Sequence, residues 1–142
     1  MALDLQGNIV SIIQIIALIL LTIGVYPYRI RTNNRNLIMH GFLSIIAMAL
    51  NLATVFYVMT PVLGSMSASL WELSLLQNGI VWLHVGLGAA TVVLGSVIIV
   101  SWVVHPLGEL GCSRTWKLMI PTFAVWTLTL ILGIIIHVYD II

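Results

Sequence analysis

The chain has 142 residues, 61% of them hydrophobic and only 6% charged. A soluble domain is about 25% charged, so five basic and four acidic side chains cannot clothe a water-exposed surface, and a soluble enzyme is excluded. Lipid must solvate most of residues 1–142, which the length makes a single integral-membrane domain.

A helix crosses a hydrocarbon core of about 30 Å with roughly 20 apolar residues. The first such segment is Ile9–Tyr28. It has Asp4 in place of a basic start and no small-residue cleavage site after it, so it is expected to be a retained span and not a signal peptide. In the following turn, "YPYRIRTNNRN", Pro27 is expected to close the first helix and Asn36 to cap the second. The second span is Leu37–Thr60. The connection "TPVLGSMSASLWELSLLQNG" includes Ala68–Leu76, which reads as a short amphipathic helix in the interface with Trp71 as its anchor. The third span, Ile80–Val104, ends before Pro106; in "HPLGELGCSRTWK" Thr115 is placed to cap the fourth, Leu118–Tyr139. Pro121 then falls near that helix's first turn, where a missing donor costs little. Barrel strands are about half this length and alternate in polarity. The expected fold is therefore an all-α, up-down bundle of four transmembrane helices.

The basic residues occupy two connections, Arg29, Arg31 and Arg35 in one and Arg114 and Lys117 in the other. Asp4, Glu72 and Asp140 lie on the opposite side. The positive-inside rule makes the basic side cytoplasmic, puts both termini outside and gives a multi-pass protein of the cell membrane. Trp82, Trp102, Trp116, Tyr26, Tyr28, Tyr57 and Tyr139 fall near span ends, as an interfacial belt requires. Cys112 is the only cysteine, so no intrachain disulfide forms.

Ionisable residues within spans are expensive and point to function. By this topology His84 and His137 each lie about one turn below the outer surface on successive spans, while His40 and His105 lie near the inner one. Imidazole pairs on neighbouring helices are what axial ligation of haem requires, and a bundle core is a usual place for it. Gly88 and Gly133, each four residues from its histidine, share the histidines' faces and leave room for a macrocycle, although small residues also serve plain helix packing. His84 and His105 are about 60° apart in azimuth on one helix, so one or two b haems, one per leaflet, fit the layout. The outer side lacks Lys and Arg, leaving Gln77, Asn78, Trp82 and Tyr139 to meet haem propionates. Copper is the alternative metal, with Met59 and Met66 supplying thioethers beside the outer histidines. Asp140 shares a face with His137 and either orients it or sits in water. The plainer reading is that the histidines bond polar residues of neighbouring helices, with Gln14, Ser44, Asn51 and Thr54 available.

The stretches "RNLIMHGFL", "WLHVGLG" and "RTWKLMIPTFAVWTLTLILG" resemble a family of small four-helix membrane proteins of bacteria and archaea, some of them tied to maturation of haem-copper oxidases. His40, His84, Trp116 and Phe123 fall on matching positions. The resemblance implies a part in handling haem or copper. The histidine layout is also similar to that of di-haem b-type four-helix cytochromes, a likeness of architecture alone.

The first expected function is thus a b-type haem subunit that transfers electrons in a respiratory or oxidoreductase complex, with other membrane subunits as partners and quinol as a possible exchange partner. The others are an oxidase assembly factor that handles haem or copper, and a structural subunit without cofactor. The connections are too short for a catalytic domain, which suits an electron-transfer subunit better than a stand-alone enzyme. No nucleic-acid patch is present.

Overall fold

A computed structural model describes residues 2–30, 34–66, 73–104 and 109–139. The elements are α1 (Ala2–Ile30), α2 (Asn34–Thr54), a π-helical stretch (Val55–Met59), α3 (Thr60–Met66), α4 (Leu75–Val104) and α5 (Glu109–Val138). Four stretches are long and apolar enough to cross a membrane: Gly7–Gly24, Ile38–Ser65, Leu75–Val104 and Lys117–Val138. The chain is therefore an all-α, four-span bundle. The helix pairs α1/α2 and α4/α5 make the broadest contacts, and α2/α4 and α1/α5 close the ring. Large apolar side chains such as Ile12, Ile23, Phe56 and Val93 point outward, the pattern expected where lipid replaces water.

Several boundaries differ from the sequence-based expectation, each at a proline or a loop residue. The first helix passes through Pro27 to Ile30, and the second begins at Asn34, ahead of Asn36. The second span does not stop at Thr60. Pro61 cannot donate to Tyr57, so the backbone widens to a π turn over Val55–Met59 and resumes as α3, with Thr60 Oγ1 donating to the Val55 carbonyl at 2.9 Å. The fourth helix begins at Glu109, so Thr115 lies inside it and Pro121 stands beyond its first turn. Pro121 is nonetheless four residues into the apolar stretch, so the carbonyl it leaves free, that of exposed Lys117, lies at its boundary. Leu75 and Leu76, expected in an interfacial helix, open α4; residues 67–72, with the expected anchor Trp71, lie outside the described residues, as do His105, Pro106 and Asp140.

Two apolar clusters hold the bundle. Ala17, Ala47, Met48 and Trp126 form one; Val81 and Ile136 form the other, with Leu63 of α3 packed against it. Ala17 and Ala47 are both fully buried, so α1 and α2 approach closely, as small residues permit in membranes. Gly41 does the same for α2 and α4. The Trp102 indole lies where a Gly41 side chain would stand, so this aromatic packs inward and not only in the interfacial belt. Trp82, Tyr57 and Tyr139 stay exposed, as anchors should.

Gly41→Val must displace the Trp102 ring, and overpacking of this kind costs about 1–3 kcal/mol. Thermal unfolding in detergent should show a lowered midpoint for Gly41→Val, and none for Gly64→Ala, whose added methyl meets nothing within 4 Å.

Candidate functional site

At the end of the bundle where α1 begins and α5 finishes, the four spans line a cavity of about 300 Å³. That is the lower bound of the roughly 300–1,000 Å³ typical of small-molecule sites. Its wall is almost wholly apolar. The π-helical stretch and α3 supply Val55, Met59 and Leu63, so the Pro61 distortion shapes the cavity.

His84 and His137 both line this cavity, yet they do not simply face each other. The His84 ring lies across α5. Its Nδ1 donates to the Thr129 carbonyl at 3.0 Å. A carbonyl only accepts, so a proton is on Nδ1, and when the ring is neutral Nε2 carries the lone pair. Gly133 makes the approach possible: a Cβ there would lie 3.0 Å from His84 Cε1. Among the described residues Nε2 has no hydrogen-bond partner. The His137 ring is instead seated on α1. Its Nε2 donates to Asn8 Oδ1 at 3.1 Å, and its opposite edge lies 2.5 Å from where a Gly7 Cβ would stand. Thr129 precedes His137 by eight residues on α5, a rise of about 12 Å, so the His84 anchor lies well below the His137 backbone.

The other predicted site residues separate. Gly88 and Gly133 line the cavity, with the Thr129 methyl 3.7 Å from a Gly88 Cβ. His40 is buried near the opposite end, its Nδ1 3.3 Å from a Gly24 Cβ, beside Trp102 in a void of only about 20 Å³. His105 lies outside the described residues. Met59 lines the cavity with the two histidines. Among the described residues no three His, Cys, Asp or Glu side chains gather as a metal site.

The floor of the cavity went unread in the sequence as a site. Gln14, Asn51 and Trp126 are buried, at 5%, 6% and 4% exposure, and link three spans. Trp126 Nε1 donates to Gln14 Oε1 at 3.2 Å, and Gln14 Nε2 donates to Asn51 Oδ1 at 3.0 Å. Gln14 and Asn51 thus bond each other and not a histidine ring. Ser44 and Thr54 turn back to the carbonyls of His40 and Leu50 on their own helix. The signal available in the sequence was three amide or indole groups deep in apolar spans, each needing a partner.

Comparisons with protein-family models, with curated proteins and with solved structures give no match to this chain.

Interhelical hydrogen bonds in membranes are worth about 0.6 kcal/mol on average and up to about 1.7. Trp126→Phe should therefore cost a comparable amount in a reversible unfolding titration. In a double-mutant cycle with Gln14→Leu the two losses should be less than additive; full additivity would mean that the bond contributes nothing.

Proposed function

We propose that this chain is a membrane subunit that would hold a b-type haem in the cavity through His84 and pass electrons within a respiratory or oxidoreductase complex. The observation that carries the proposal is the His84–Thr129 bond. Histidines that ligate metals generally donate their second ring N–H to a carbonyl or carboxylate, which fixes tautomer and ring orientation. His84 has that arrangement, with Nε2 left over on the wall of an apolar cavity. This one imidazole is the group through which the chain would hold a haem iron. His137 is the second ligand available, and it must exchange Asn8 for the metal to serve.

When bound, haem supplies reversible one-electron transfer whose potential follows from the axial ligands, hydrogen bonding and burial. The chain's own residues do the rest. Thr129 and Gly133 hold the His84 ring in place, and the almost wholly apolar lining offers water few partners. Large exposed apolar faces on every span suit contact with lipid and with neighbouring membrane subunits.

The Asn8–His137 bond favours a second reading. A haem or copper ion held by one fixed and one exchangeable imidazole is suited to hand-over, which is the task of an oxidase assembly factor. Met59 offers a thioether in the same cavity for copper.

Protein purified from a haem-replete host should be red and give a reduced-minus-oxidised b-type band and about one haem per chain by pyridine haemochrome. His84→Ala should abolish the band. Gly133→Ala, which presses the ring a few tenths of an ångström against its Thr129 bond, should lower occupancy by up to about tenfold, the usual loss when a ligand's support is removed. A colourless preparation, or one whose haem content survives His84→Ala, would sink the cytochrome reading. Rapid release of haem or copper to an acceptor, slowed by Asn8→Ala, would support the assembly role.

A further inference from the structure

The chain of hydrogen bonds at the cavity floor has a fixed direction. An indole N–H is a donor and never an acceptor. Gln14 must therefore turn its oxygen to Trp126, which sends its amide nitrogen toward Asn51, and Asn51 must receive it with Oδ1. The sequence of donors ends on Asn51 Nδ2, whose two N–H groups donate to no described residue. Asn51 is buried and lines the cavity, and because its Oδ1 is taken by Gln14, the amide nitrogen is the group it has left to offer there. Nearby Thr91, 2% exposed, already spends its proton on the Leu87 carbonyl and does not absorb these donors. In hydrocarbon an unmet donor costs several kcal/mol, so a ligand that fills the cavity gains by bringing an acceptor to this point.

We infer that the cavity recognises an apolar ring body carrying a carbonyl-type oxygen at its deep end, received by the Asn51 amide. Two sources share this chemistry: the head group of a lipid-soluble quinone, and a carbonyl-bearing substituent on a tetrapyrrole. The inference rests on the cavity's being a binding site for a flat ring ligand, as proposed above, but neither on that ligand's being b-type haem nor on His84 as a metal ligand. Selectivity here comes from the cost of leaving a polar group unpaired. A site built to hydrogen-bond a ligand oxygen rejects the analogue that lacks it more strongly than an apolar wall rejects a missing methylene.

The test uses the full chain in detergent and matched probes. In one arm menadione is compared with methylnaphthalene, and in the other diacetyldeuterohaem with mesohaem, which has ethyl groups in place of acetyls. Quenching of tryptophan fluorescence gives the affinities; Trp126 stands at the floor. Wild-type protein should prefer the carbonyl member of at least one pair by about tenfold, the upper range for one net hydrogen bond, and Asn51→Leu should bring that ratio close to one while leaving the hydrocarbon or mesohaem affinity intact. Should Asn51→Leu not fold, infrared spectra of the wild type decide: the bound carbonyl stretch must lie below its value in empty micelles. Preference in the quinone arm identifies a quinone-type ligand, and preference in the haem arm alone a carbonyl-bearing macrocycle. Equal affinity within both pairs, no binding in either arm, or an unshifted carbonyl stretch overturns the inference. Loss of haem in His84→Ala bears on the metal ligand and leaves this result untouched.

Discussion

A polar group inside a lipid-solvated bundle has no water to turn to, and that constraint governs this structure. Gln14 on α1, Asn51 on α2 and Trp126 on α5 meet it together. Their two bonds cross three spans at the level where the apolar cluster of Ala17, Ala47 and Met48 lets the helices approach. Because the indole only donates, the whole chain has one polarity. The packing below and the cavity above both take their shape from this level.

Above it the geometry of the second span changes, and for local reasons. Pro61 withholds a backbone donor, the second span widens into a π turn, and α3 packs Leu63 against the Val81–Ile136 cluster. π turns of this kind often mark functional sites, and here the turn forms one wall of the cavity. On the opposite wall two glycines give histidines their seats. Gly133 lets His84 reach a main-chain carbonyl of α5, and Gly7 lets His137 lie on α1. One imidazole is thereby fixed by backbone, which cannot move far, and the other by an asparagine side chain, which can.

Much of the fold was legible in the chain itself. Four apolar runs of spanning length, joined by short polar connections, leave a helical bundle as the available solution. The ends were less legible. Pro27 reads as a stop, Pro121 as part of a first turn, and the second span as ending at Thr60, yet the helices run through Pro27, Pro61 and Pro121. A proline removes one hydrogen bond; flanking turns with their own bonds, such as Thr60 to Val55, carry the helix on. The candidate site was legible in part. His84 and His137, expected to face each other from matched depths on successive spans, both line one cavity, but each ring is seated on a different helix. That His84 would choose Thr129, and His137 would choose Asn8 on the first span, depended on azimuth, which spacing along one helix does not fix between helices.

The sequence alone thus determined solvent, fold class and which residues are costly to bury, because composition and run length act locally and do not depend on partners. Tertiary structure decided who meets whom. Gln14 and Asn51 are separated by 37 residues and Gln14 and Trp126 by 112, and only the rotation of each helix about its own axis settles whether such groups touch. That rotation is set by small residues at the contacts, Ala17, Ala47 and Gly41 above all, through close packing that no one-dimensional pattern specifies.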